Sequence, residues 1–207
     1  MNGVEQEVKI RISSLDSILD CFRSIGARLI QDRTFEDNLV MDFEDLRLKR
    51  EGRLIRLRQY GDEHILTFKG PASVERGVKS RTEIEVGLQS SEDMMRILAA
   101  LGLKAMFRYQ KYRTIFQCWE SALDSHSREA VEAKETLHLM VDETPIGLFL
   151  ELEGSANLIH KTADGLGFKQ DDFIPSTYRE LYLEYCRQRG QPFGDMVFYN
   201  HSYTWGS

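Results

Sequence analysis

The sequence predicts an α+β fold: mainly antiparallel β-structure with flanking α-helices, the strands closed into a barrel (tunnel) with a charged interior. Three observations predict it. First, ionised residues recur at every second position, which in a strand places them on one face. These are Glu5, Glu7 and Lys9; Arg56 and Arg58; Lys69 beside Thr67; Arg81, Glu83 and Glu85; Lys111 and Arg113; and Glu151 and Glu153. Second, the alternate positions are mostly Ile, Leu, Val or Phe. Third, segments with helical apolar stripes lie between the strands and need an apolar surface to pack on. A closed sheet with helices outside and charges inside satisfies all three, and closure removes exposed sheet edges. The alternation also allows an open sheet whose charged face is solvated, laced with cross-strand pairs worth about 0.2–1 kcal/mol each.

The elements follow in order. Val8, Ile10 and Ile12 back the charged face of the first strand, 4–12. Ser13 or Ser14 caps a helix carrying Leu15, Ile18, Leu19, Phe22 and Ile25 at helical spacing, and Gly26 stops it. Residues 35–43 read as a strand with Asp37, Leu39, Met41 and Phe43 on one side, and 46–52 as a short helix or loop. Strands at 54–60 and 64–69 flank the Gly61-Asp62 turn. A polar loop spans 72–79, where Gly77 suggests a mobile lid, and a strand covers 81–86. Ser90 or Ser91 caps a second helix bearing Met94, Ile97, Leu98 and Leu101. A strand at 109–117 precedes a polar loop or frayed helix at 121–134. Strands 137–142 and 147–153 form a hairpin across Thr144-Pro145, and helices at 155–166 and 176–189 complete a single domain of residues 1–190. Residues 191–207 read as a tail that plugs a mouth, packs laterally or mediates dimerisation.

Composition narrows the function. At 207 residues, 42% hydrophobic and 29% charged, the chain suits one well-packed soluble domain. A net charge of −6 gives no global field for nucleic acid, so no nucleic-acid partner is expected. No apolar segment suggests a signal or a membrane span. Cys21, Cys118 and Cys186 are scattered and odd in number, as suits a reducing cytoplasmic setting. The five histidines, His64, His126, His138, His160 and His201, show no metal spacing and read as surface or packing residues. Tyr178, Tyr182 and Tyr185 share a helical stripe that reads as core, and Arg11 and Arg108 read as surface.

Charges facing inward cannot stay dry and unpaired, so an inward charged face implies a wet interior and a ligand. Lysines and arginines from several strands suit phosphate oxygens. Clustered carboxylates repel one another unless a cation sits among them, and hard oxygen donors favour Mg²⁺ or Mn²⁺. Phosphate binding with a carboxylate-held metal is the apparatus of phosphoryl transfer.

At this point the chain resembles the CYTH superfamily of triphosphate tunnel metalloenzymes. Glu5-x-Glu7-x-Lys9 is similar to the family's ExExK signature. Ile55-Arg56-Leu57-Arg58, Leu66-Thr67-Phe68-Lys69-Gly70-Pro71, Arg81-x-Glu83-x-Glu85, Lys111-Tyr112-Arg113, and Asp142 with Glu151-x-Glu153 follow in the family's order. Ser176-x-Tyr178-x-Glu180-Leu181 matches its closing helix. The resemblance implies an eight-stranded antiparallel tunnel for a triphosphate-containing small molecule. It implies metal ligands at Glu5, Glu7 and Glu153, helped by Asp142 and Glu151, and phosphate-binding cations at Lys9, Arg56, Arg58, Lys69, Arg81, Lys111 and Arg113. Glu83 and Glu85 would complete a second metal site or orient a water. Glu7, Lys9 and Glu85 are the catalytic candidates; Lys9 either neutralises phosphate charge or, if its pKa is depressed, transfers a proton.

Three functions stay open. The leading one is a divalent-metal-dependent triphosphatase, in which water attacks the terminal phosphorus. The second is a class IV-like adenylyl cyclase, although the His-Phe pair preceding ExExK in those cyclases is replaced here by Met1-Asn2-Gly3-Val4. The third is a non-catalytic phosphate-binding module, against which the full carboxylate set argues. A homodimer stays open, since outward apolar residues can meet either helices or a second subunit.

Overall fold

Closure of the sheet rests on one strand with two neighbours. The structure is a computed structural model and describes residues 2–119 and 135–199. Strand β1 (Asn2–Ile12) pairs along its first half with β6 (Val78–Leu88) and along its second half with β9 (Gly147–Glu153). Between them run β8 (Thr136–Thr144), β7 (Leu103–Trp119), β2 (Arg28–Phe43), β3 (Leu54–Tyr60) and β4 (Glu63–Lys69). The ring β1-β9-β8-β7-β2-β3-β4-β6 returns to β1 through antiparallel pairs only, so the predicted eight-stranded barrel is present. Two short strands are appended to it. Strand β5 (Ser73–Glu75) pairs with the start of β6, and β10 (Phe173–Ile174) pairs with Lys9 and Ile10.

The apolar faces point outward, onto helices. Val8, Ile10, Ile12, Leu139, Leu150 and Leu152 form one core with Ile18 and Phe22 of α1 (Leu15–Ser24) and Leu158 and Ile159 of α4 (Ala156–Gly165). Leu39, Met41 and Leu57 form a second with Leu48 of α2 (Arg47–Arg50) and Leu98 of α3 (Ser91–Ala100). Helix α5 (Tyr178–Arg189) joins a third through Tyr178, against Phe107, Tyr109 and Phe149. The helices start where capping chemistry dictates. Ser14, Ser90 and Ser155 accept from the backbone N–H three residues on, and Thr177 forms a reciprocal box with Glu180.

Several expectations change. Strands β2 and β7 extend well beyond 35–43 and 109–117, because they pair across register shifts, between Leu29 and Thr34 at the start of β2 and at Val40–Met41 opposite the start of β7, where alternation is lost. The stretch 72–79 is a hairpin rather than a loop: Arg76 (φ 48°) and Gly77 (φ 82°) form its turn, and Lys79 belongs to β6. A Cβ on Gly77 would come within 2.9 Å of Phe173 Cδ2, so the tip is seated against the body and does not read as a free lid.

The described part of the tail packs laterally. Met196 is fully buried, its N–H donates to Arg108 O (3.0 Å), and its carbonyl accepts from Gln110 N–H (2.9 Å). Phe193 stacks on Phe107 at 5.7 Å. Beneath this strap Arg108 grips the fully buried Asp37 through Nε and Nη2 (3.0 and 2.6 Å), which corrects its reading as a surface residue. Arg11 is exposed, as expected, and donates to Ile146 O (3.1 Å). The expected loop or helix at 121–134, with His126, and residues 200–207, with His201, lie outside the described residues. Among the described residues no helix is long and apolar enough to cross a membrane.

Candidate active site

Period-two side chains of the barrel strands converge on a cavity of about 590 Å³. Every predicted site residue lines it except Asp142. Strand β1 supplies Glu5, Glu7 and Lys9; β3 supplies Arg56 and Arg58; β4 supplies Lys69; β6 supplies Arg81, Glu83 and Glu85; β7 supplies Lys111 and Arg113; β9 supplies Glu151 and Glu153. Sets on distant strands, such as Lys111 and Arg113 of β7 and Arg81 of β6, could not meet in an open sheet; closure brings them together.

Within the cavity the carboxylates face cations. Lys69 Nζ donates to both oxygens of Glu5 at 2.8 Å and lies 3.0 Å from Glu83. Arg81 bridges Glu5 (3.2 Å) and Glu7 (3.3 Å), and Lys79 stands 3.4 Å from Glu7. Lys9 pairs with Glu151 at 3.0 Å, and Arg113 also reaches Glu151. Thr67 Oγ1 donates to Glu85 at 2.8 Å, with Arg56 3.5 Å away. Glu153 has no ion pair among the described residues.

Asp142 has a different place. It is fully buried and accepts from Arg113 through two nitrogens (2.7 Å each), from Lys111 Nζ (2.9 Å) and from Tyr178 OH (2.7 Å). Its oxygens are thus occupied from behind the cavity wall, where they fix two cations and the start of α5. Tyr178, expected as plain core, puts its ring 4.4 Å from Lys9 Nζ and 5.3 Å from Lys111 Nζ.

Three inward residues escaped the sequence reading. Glu36 sits on the inner face of β2 beside Arg58 and Lys111. It shares its rhythm with Asn38, Val40 and Asp42, which was the available signal. Lys79 continues the Arg81, Glu83, Glu85 rhythm backward by one step. Tyr109 OH accepts from Arg56 Nη1 (3.2 Å), and only its spacing from Lys111 marked it.

The electrostatics separate the carboxyls. Burial pushes Glu5 up, but Lys69, a hydrogen bond with Glu83, and Arg81 bring it down to about 2. Burial pushes Glu83 up to about 7, with Lys69 opposing and Glu5 reinforcing. Burial and then the Glu5 charge push Glu153 up to about 7, Glu7 adding to the effect. This corner therefore has more carboxyls than neighbouring positive charge can hold ionised. Lys9 behaves oppositely: burial alone would lower its pKa, but Glu151, Glu7 and Asp142 raise it. A raised lysine keeps its proton, which favours charge neutralisation over proton abstraction.

Whether the residues fit a divalent cation can be tested on this corner. Its donors are hard carboxylate oxygens, the type Mg²⁺ and Mn²⁺ take, and the raised Glu83 and Glu153 are short of positive charge. Among the described residues no three ligating side chains converge on one point, because Glu5 and Glu7 are turned to lysine and arginine. The donor chemistry fits, with Glu153 the carboxyl left unpaired.

Known proteins show the same fold. The family model of the CYTH domain matches residues 4–178. Several similar proteins carry the name "putative adenylate (or adenylyl) cyclase". One, from Methanocaldococcus jannaschii, is 25% identical over 189 residues, which cover 86% of this chain and 98% of that protein. The second is a Vibrio parahaemolyticus crystal structure with TM-score 0.69 and 16% identity, covering 87% of this chain and 98% of the other. The third, from Hippeastrum, is described as revealing a dominant triphosphatase activity; it has TM-score 0.58 and 14% identity, covering 91% and 97%.

Proposed function

The chain belongs to the CYTH domain family, and from that premise we propose that it is a metal-dependent phosphohydrolase acting on a triphosphate-containing substrate within the barrel. The observation that carries this reading is the charge asymmetry of the cavity. Cations from five strands line its walls, while one corner collects Glu5, Glu7, Glu83 and Glu153 with two carboxyls raised to about 7.

Arg56, Arg58, Lys69, Arg81, Lys111 and Arg113 would bind and orient the phosphates, and Lys9, held protonated, would neutralise charge that develops on them. Glu5, Glu7 and Glu153, next to Glu83, would hold Mg²⁺ or Mn²⁺. A divalent cation there supplies Lewis acidity toward phosphate oxygens. Glu85 stays ionised: burial pushes it up, but Arg58, the Thr67 hydrogen bond and Arg56 lower it, so it would be the group to accept a proton from a water. Asp142 and Glu151 keep Lys111, Arg113 and Lys9 in place.

A second reading, adenylyl cyclase, draws on the apolar part of the cavity lining. Val74, Met106 and Phe107 offer a surface on which a base could rest. The test is product analysis with ATP, tripolyphosphate and thiamine triphosphate in Mg²⁺ or Mn²⁺. Metal-dependent orthophosphate release is expected. Cyclic AMP with pyrophosphate would replace the first reading by the second, and binding without turnover would leave a phosphate-binding module.

The raised carboxyls also predict a pH response. Glu83 and Glu153 bind protons more tightly in the folded state, so their contribution to stability is complete below about pH 4.5 and is lost as pH rises through about 7. Glu5 and Glu151 are lowered and contribute oppositely, losing stability only at more acid pH. Metal-free protein should therefore melt at a lower temperature at about pH 8 than at about pH 5, and Mg²⁺ or Mn²⁺ should raise the melting temperature at the higher pH only. Equal metal effects at both values would contradict this assignment of the corner.

A further inference from the structure

Among the described residues, Glu36 is, with Asp142, a fully buried carboxylate set against the cations of the cavity wall. One of its oxygens accepts from Asn38 Nδ2 at 2.9 Å and lies 3.5 Å from both Arg58 Nε and Lys111 Nζ. The other lies 4.0 Å from Arg113 Nε and has no hydrogen-bond partner. Asn38 ties the cluster together, since its Oδ1 accepts from Arg58 Nε at 3.4 Å. Cations from the two strands on opposite sides of β2 thus converge on one carboxylate, and Lys111 and Arg113 are held from their other side by Asp142.

We propose that Glu36 is a positioning residue that, through Asn38, sets the orientation of Arg58 and, together with Asp142, that of Lys111 toward the substrate phosphates. The inference rests on the phosphohydrolase reading and adds to it a residue that never touches substrate. Two physical roles are possible for such a carboxylate, and they have opposite signatures. If Glu36 only balances charge, removing its negative charge makes the cavity more positive, so a polyanion binds more tightly and turnover is unaffected. If it positions, the cations lose their common anchor. The phosphates are then still attracted but are held in less productive geometry, and kcat falls without a rise in KM. The directed link through Asn38, which donates to Glu36 and accepts from Arg58, favours positioning, since charge balance alone needs no such geometry.

The test compares Glu36→Gln, which keeps the shape and removes the charge, with wild type. Metal-dependent phosphate release from tripolyphosphate gives kcat and KM, and calorimetry gives tripolyphosphate affinity without metal. The expected result is a loss in kcat of roughly 10- to 100-fold, with KM and the metal-free dissociation constant unchanged or lower. Asn38→Ala disturbs the same cluster from its other side and should show the same split to a smaller extent; it keeps the question answerable if Glu36→Gln does not fold. Wild-type kcat in either folded variant overturns the role of Glu36 alone. Wild-type protein that neither binds nor hydrolyses any of the triphosphates removes the phosphohydrolase reading itself, and the positioning role with it.

Discussion

Asp142→Ala is expected to destabilise the protein by about 3–5 kcal/mol, the range for breaking a buried pair by removing one partner. Asp142 accepts two hydrogen bonds from Arg113, one from Lys111 and one from Tyr178, and all four residues are buried. Without the carboxylate, two cations remain in the wall with Glu36 and Glu151 as their close anionic partners among the described residues, and α5 loses the hydroxyl contact of its first residue. Against a typical stability of about 5–15 kcal/mol, this is a large share. The midpoint of urea unfolding measures it. A midpoint within error of wild type would mean that Asp142 is not the anchor described here.

The second large effect concerns the acidic corner. Glu7→Gln is expected to lower metal-dependent phosphate release by at least about 100-fold, since loss of supporting groups around a metal already costs about 10- to 100-fold. The substitution keeps the side chain's volume, and Arg81 and Lys79 still meet an amide oxygen in place of a carboxylate. Metal-free tripolyphosphate affinity should stay equal or improve, because one repelling charge has gone. The two measurements together separate loss of metal from loss of fold: a circular dichroism melt like that of wild type, with turnover gone, is the expected pair. Undiminished turnover would exclude Glu7 from the metal-dependent step.

Much of this site was legible because it is written at period two. Glu5-x-Glu7-x-Lys9 and Arg81-x-Glu83-x-Glu85 announce one charged face, and Val8, Ile10 and Ile12 announce the helix-covered face behind it. Where both faces of a strand are polar the signal fails. Glu36, Asp37 and Asn38 are consecutive, so nothing local says that Glu36 points inward while Asp37 points out to Arg108. The outward pair makes sense only with the strap at Asp195–Met196 in place, a contact between residues far apart in sequence. Lys79 was hidden for a different reason: Gly77 beside it marks a turn, and the glycine's seat against Phe173 cannot be read from the residues between them. Spacing also could not rank Asp142 against Glu151 and Glu153. All three share the barrel's rhythm, and only the side-chain partners place Asp142 behind the wall.

The lateral strap bears on how this chain can be shortened. The match to the family model ends at residue 178, the first residue of α5. A chain trimmed there would lose α5, and the backbone of β7 at Arg108 and Gln110 would lose the groups that now satisfy it. An uncovered strand edge is a template for pairing with another molecule, and here it would sit directly behind Tyr109, the partner of Arg56. The smallest unit that keeps both the sheet edge and the cavity wall closed therefore runs through Phe198, whose N–H donates to Gln110 Oε1.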